Sequence, residues 1–104
     1  MARFDIYSNP YAAERVHTPF LVDVQNDHLG PLDSRVVIPL RSLRVMPKPA
    51  HRLNPLLEVA GKQWVLDTAS LAPVLASLLR KPVGRAEAAK ADVLDALDTL
   101  FESY

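Results

Sequence analysis

The chain has no cysteine, three isolated glycines, one tryptophan and no net charge. Without cysteine there is no disulfide, no thiolate nucleophile and no cysteine zinc site. Three scattered glycines do not build a phosphate-cradling loop, and no nucleophile-elbow pattern occurs. Twelve Lys and Arg against twelve Asp and Glu give a pI near 6.8, which argues against a strongly basic nucleic-acid binder. No apolar run approaches a membrane span, and Met1-Ala-Arg-Phe4 lacks a signal-peptide core, so a cytoplasmic location is expected.

What is present is enough for one packed domain over residues 1–104. Hydrophobic residues make up 49% of the 104, which argues against wholesale disorder. Charge is unevenly placed. Ser34 to Leu57 holds Arg35, Arg41, Arg44, Lys48 and Arg52 and no acid, while Asp92, Asp95, Asp98 and Glu102 lie near the other end. Two readings stand: two solvated faces, or a basic docking surface for an acidic partner.

Arg3 to Tyr7 alternates charged and apolar residues and predicts a strand with Phe4 and Ile6 on one face. Ser8-Asn-Pro-Tyr11 breaks it, and Phe20 to Gln25 predicts a second strand. After the Gly30-Pro31 break, Arg35 to Leu40 predicts a third. Pro39 lacks an N–H, which suits an edge or a strand end. Leu56–Val59 and Gln63–Asp67 read as a hairpin around Gly61, with Trp64 and Leu66 on one face. Residues 71–79 stay open: Leu71, Val74, Leu75, Leu78 and Leu79 fit a helical period, whereas Pro73 and the strand-rich surroundings fit an extended segment. From Arg85 to Phe101, Ala86, Ala89, Val93, Leu94, Leu97, Leu100 and Phe101 form one helical stripe. Short strands followed by one helix predict a small antiparallel barrel with the helix packed on it. The stripe can face the barrel, a second copy, or both, and a chain of this size is a candidate for a two-fold dimer.

No constellation carries obvious chemistry. His17, His28 and His51 lack metal-ligand spacing. Asp23 and Asp27 flank a strand–loop junction; local pairing and turn formation are the simpler roles for them. An RNA-cutting arrangement would draw on Arg35, Arg41 and Thr68, but the same residues also read as strand surface and strand end. Trp64 reads as a core or interface anchor rather than a base-stacking platform.

The segment Phe20-Leu-Val-Asp-Val-Gln-Asn-Asp27 resembles the second strand and following loop of the CcdB toxins of bacterial toxin–antitoxin pairs. Arg35-Val-Val-Ile-Pro-Leu40 is similar to that family's next strand, and Leu71-Ala-Pro-Val74 occupies the place of a short Val-Pro-type strand near 72–78. With the terminal helix, the similarity runs from Phe4 to Tyr104. The resemblance implies an SH3-like antiparallel β-barrel of the CcdB, MazF and Kid type with a C-terminal α-helix, assembled as a homodimer. It implies a type II toxin with a role in plasmid maintenance. Such a toxin needs no cofactor and no catalytic residue of its own: it inhibits DNA gyrase by binding the A subunit and trapping the cleaved-DNA complex. The implied antitoxin is CcdA-like, with a tail that folds on binding.

Carried across residue by residue, the gyrase-binding positions are His28, Leu29, Asp98, Phe101, Glu102, Ser103 and Tyr104. The family's best-known helix ends Phe-Trp-Gly-Ile. Here Phe101 keeps the phenylalanine, Glu102 stands for tryptophan, Ser103 for glycine and Tyr104 for isoleucine, and a loop Ile-Ile pair becomes His28-Leu29. An indole stacks on an arginine, whereas a glutamate pairs with one. Because family antitoxin tails are acidic, Arg41, Arg44, Lys48 and Arg52 are the implied antitoxin contacts. Two alternatives accompany this reading. One is a ribonuclease toxin of the MazF/Kid branch. The other is an antitoxin-binding homologue that no longer poisons gyrase, which the Glu102 substitution favours.

Overall fold

A buried ion pair and an alternating apolar pattern organise the strands around Asp23 and Arg35. The computed structural model describes residues 2–27 and 32–102. Its strands are β1 (Asp5–Ser8), β2 (Phe20–Asp23), β3 (Ser34–Arg41), β4 (Leu56–Val59), β5 (Lys62–Leu66), β6 (Ala72–Leu75) and β7 (Gly84–Arg85), followed by helix α1 (Lys90–Phe101). All pairings are antiparallel. The strand order is β4-β5-β3-β2-β1-β7, with β6 paired to the first half of β3. This is a nearly closed, barrel-like sheet with one C-terminal helix, in agreement with the SH3-like fold expected. The open seam lies between β4 and β7, where Leu57 and Glu58 face Arg85 and Ala86 across a groove that Ile6 also lines.

Period-two alternation sorts side chains to two cores. Phe4, Ile6, Val22, Val24, Ile38, Leu40, Leu57, Val59 and Leu66 join Ala86, Val93 and Ala96 in the main core. On the opposite face Tyr7, Leu21 and Val37 meet Leu79 and Val74 in a smaller cluster. The helix therefore seals the barrel through Val93 and Ala96, with Ala86 buried just before it and Leu94 and Leu97 half-buried at the margin. Ala96 belongs to this face although the sequence stripe omits it. The regular helix begins at Lys90, later than the expected Arg85, because Gly84 and Arg85 pair with Ile6 and Asp5.

Asp23 is fully buried and Arg35 nearly so. The Arg35 guanidinium donates from Nε to Asp23 Oδ2 at 2.8 Å, and from Nη2 to the Gln25 carbonyl at 3.3 Å and Asp27 Oδ1 at 3.2 Å. Asp23 Oδ1 accepts the Gln25 N–H at 3.0 Å, and Gln25 Oε1 accepts the Val36 N–H at 2.9 Å. Burial opposes the Arg35 charge, but the hydrogen bond and charge of Asp23 outweigh it and raise its pKa.

Two local expectations are revised. Arg3 and Phe4 are not strand: Phe4 lies at φ 72°, a left-handed conformation costing roughly 1–2 kcal/mol. The Phe4 N–H donates to the Asp23 carbonyl at 2.6 Å, and its ring, beneath the Arg3 guanidinium, is buried in the main core. Pro39 sits inside the central strand, opposite Leu21, and not at an edge or end. The Val24 N–H bonds to Val36 O and the Asp67 N–H to Pro39 O. The alternation therefore turns the missing Pro39 N–H away from β2, toward the gap where β6 has ended and β5 is about to begin. Of the two readings left open for 71–79, the extended one holds for residues 72–75, and 76–78 form a single 3-10 turn. The β4–β5 hairpin turns at Ala60 and Gly61, both at positive φ, as a two-residue turn of the primed kind demands. Trp64 stands edge-on to Phe20 with centroids 5.6 Å apart and donates to the Val59 carbonyl, a core role.

Two predictions follow from this packing. Arg35→Met leaves the Asp23 carboxylate buried alone and is expected to lower unfolding free energy by about 3–5 kcal/mol in urea titration. Asp23→Leu/Arg35→Met together should cost less than the sum of the single changes. The Tyr7 hydroxyl is buried with no partner at good hydrogen-bond geometry among the described residues, and burial, with the nearby Asp5 and Asp23 carboxylates, pushes its pKa up to about 12. Its contribution to stability is complete below pH 10 and is lost as pH rises toward 12, because only the unfolded chain ionises there. Tyr7→Phe should flatten that part of the alkaline stability profile relative to the parent chain.

Candidate functional site

The last turn of α1 is built to be seen from outside. Val93 and Ala96 anchor the helix, and one turn later Asp98 and Phe101 are exposed, with 69% of Phe101 accessible. The Glu102 N–H donates to the Asp98 carbonyl at 2.7 Å, after which Glu102 turns extended at φ −79°, ψ 138°. An accessible phenylalanine at a helix end has the form of an interface anchor: a large apolar area whose position is fixed by the helix behind it. Of the seven positions assigned to gyrase contact, Asp98, Phe101 and Glu102 share this end. His28, Leu29, Ser103 and Tyr104 lie outside the described residues.

The stem leading to residues 28–29 is firmly held. Asp27 accepts the Arg3 N–H at 3.0 and 3.1 Å and one N–H of Arg35. The Arg3 N–H is the largest influence holding the Asp27 carboxyl below its ordinary pKa of 3.8. Asn26 and Asp27 share a groove with Lys90 at the first residue of α1. Phe101 is eleven residues further along the helix, about 16 Å away. Within one chain the loop stem and the exposed phenylalanine therefore stand at opposite ends of α1.

The basic segment separates into two kinds of cation. Arg41 donates to Asp67 Oδ2 at 2.6 Å and to Thr18 Oγ1 at 2.9 Å. Arg52 grips Asp95 with two hydrogen bonds at 2.6 and 3.0 Å, which lowers the Asp95 pKa. Arg44 and Lys48 are exposed on the long connection between β3 and β4 and make no ion pair among the described residues. Leu43 and Val45, 40% and 50% exposed, flank Arg44, so a cation and two apolar side chains are presented together. Sequence reasoning missed Asp67 and Asp95 as partners. The only signal for Asp95 was the complementary charge of the middle segment and the C-terminal helix, two regions now in direct contact.

The three residues considered for RNA cleavage do not assemble. Arg35 is buried against Asp23, and Arg41, six residues away along β3, is about 20 Å from it. The buried Thr68 hydroxyl donates to the Leu53 carbonyl at 2.6 Å. Among the described residues no group of three His, Asp or Glu side chains is placed to hold a metal. No helix among them is long and apolar enough to cross a membrane.

Stability should separate the four cations. Arg41→Ala strands the largely buried Asp67 and is expected to cost about 1–3 kcal/mol. Arg44→Ala and Lys48→Ala should each stay within about 0.5 kcal/mol of the parent in the same urea titration.

A family model described as CcdB protein matches residues 3–103.

Proposed function

The chain belongs to the CcdB family, a family of toxins of toxin–antitoxin systems, and from that membership we propose a specific action: inhibition of DNA gyrase through its A subunit. In this reading the protein works by contact and not by catalysis. The end of α1 docks on gyrase while the enzyme holds cleaved DNA, and the added binding energy favours the cleaved state over religation. The observation that carries the reading is the exposure of Phe101 at the end of a helix whose other face is locked into the barrel. Asp98 and Glu102 border it with negative charge, suited to a basic groove on the target. Ser103 and Tyr104 follow it in sequence and are proposed to complete this surface, whereas His28 and Leu29, which follow Asp27 at the other end of α1, would have to join it from a second copy.

A two-fold homodimer fits this mechanism. The half-buried Leu94, Leu97 and Leu100 continue the apolar stripe beyond the barrel contact. A second copy covering them would bring two helix ends to one assembly. For the antitoxin, Arg44 and Lys48 offer charge that is already open to an acidic tail. Arg41 and Arg52 would take part only by exchanging Asp67 and Asp95 for the tail's carboxylates.

Glu102 supports a second reading, in which the chain binds antitoxin but no longer poisons gyrase. Where the family pattern carries a tryptophan, a glutamate supplies no stacking surface. A plasmid assay with purified gyrase, ATP and this protein distinguishes the two. Gyrase poisoning predicts linear DNA after denaturation. Phe101→Ala should raise the protein concentration needed by about 30-fold, the equivalent of losing a 2 kcal/mol anchor. Deletion of Glu102 to Tyr104 should abolish growth inhibition with the fold intact; a truncated chain that stays toxic refutes the tail mechanism. Uncut, supercoiled plasmid at saturating protein favours the second reading.

A further inference from the structure

Arg35, Arg41, Arg52 and Arg85 each end on a carboxylate. Arg15, Arg80 and Lys81 have no ion-pair partner among the described residues, yet they line one cleft together. The cleft lies between the end of β1, contributing Ser8, and the turn after β6, contributing Ser77 and Leu78. Its volume is about 300 Å³, and no carboxylate lines it.

The cations are placed there by the fold. Arg15 donates from Nε to the Asn9 carbonyl at 2.6 Å and from Nη2 to the Pro10 carbonyl at 3.5 Å. This fastens the guanidinium while using only part of its five-donor capacity. Asn9 is itself buried and donates to the Thr18 carbonyl, so the anchor is rigid. Arg80 and Lys81 follow the buried Leu79, which pins that segment to the smaller core. Three like charges are thus drawn together with two hydroxyls between elements that cannot move apart. In a chain of zero net charge, such a concave cationic cleft concentrates positive charge and N–H donors.

We propose that this cleft binds a phosphate group, a phosphomonoester or a phosphodiester. The tetrahedral anion is favoured over a carboxylate because donors converge from three chain segments, not from one plane. Arg15 supplies the fixed donors, Arg80 and Lys81 the mobile charge, and Ser8 and Ser77 neutral hydrogen bonds. The proposal does not depend on gyrase inhibition.

Calorimetric titration of pyrophosphate into the full chain at about 10 mM salt tests it, since exposed charges are then weakly screened. Saturable one-to-one binding is expected. Arg80→Ala/Lys81→Ala should weaken it about tenfold, the equivalent of one or two charge-assisted contacts. Arg44→Ala/Lys48→Ala removes the same charge away from the cleft and should weaken binding clearly less, because neither side chain lines it. Unchanged circular dichroism would confirm that both variants fold. No saturable binding, or equal weakening in both double variants, overturns the site. So does displacement of pyrophosphate by a glutamate-rich peptide at matched charge, which would make the chemistry carboxylate. Competition by a short DNA duplex assigns the phosphate to a nucleic-acid backbone; failure to compete assigns it to a small phosphate compound.

Discussion

The Asp23–Arg35 pair is the constraint on which the rest of this molecule depends. Two charges are out of water on the face of the sheet opposite the main core. They are tolerable there only because each has further hydrogen bonds, Asp23 from the Gln25 N–H and Arg35 to the Gln25 carbonyl and Asp27. The pair joins β2 to β3, the Gln25 side chain extends the same pairing beyond β2, and Asp27 carries the network to the N-terminal turn. The positive φ of Phe4 is maintained by a backbone bond to Asp23 itself. Asp27, the last described residue before position 28, is therefore tied by Arg35 and the Arg3 N–H to the buried pair.

This has a consequence for reading activity from mutations. Arg35 is the residue that an RNA-cleaving mechanism would nominate, yet its guanidinium is committed to Asp23, Gln25 and Asp27. Loss of any activity on replacing it would report collapse of the loop stem as readily as loss of a phosphate contact. The side chains free to meet a partner lie elsewhere: Phe101 and Asp98 at the helix end, Arg44 and Lys48 on the long connection, and the Arg15, Arg80 and Lys81 cleft. These surfaces rest on elements whose inner faces are locked, which preserves their shape at little entropic cost on binding.

The charge pattern shows the same division between internal and external use. A basic middle segment and an acidic helix invite the idea of two opposed docking faces. Arg52 and Asp95 instead meet each other, 43 positions apart, and part of the segregation is cancelled within the fold. What is left over after such pairing is the informative charge, and only side-chain geometry distinguishes it from the rest.

Much of the fold was legible in the residues, since local periodicity survives folding. The alternation in Phe20–Asp23 and Ser34–Arg41, the Ala60-Gly61 turn and the Val93-Leu97 stripe each encode one face toward a core. The family resemblance, carried by motifs in order along the chain, likewise needed no coordinates, and the match over residues 3–103 agrees with it. Other features were decided only by tertiary structure. Residues 71–79 suit a helix by their own spacing, yet 72–75 became strand because Ser34–Val37 offered an unpaired edge to Ala72–Leu75. Pro39 entered a central strand because the neighbouring strands part at its missing donor. Arg41 found Asp67, Arg52 found Asp95, and Arg15 met Arg80 and Lys81 through contacts distant in sequence. Periodicity describes which way a side chain faces; which partner it meets depends on how the whole chain closes, and that is where the candidate sites of this protein are made.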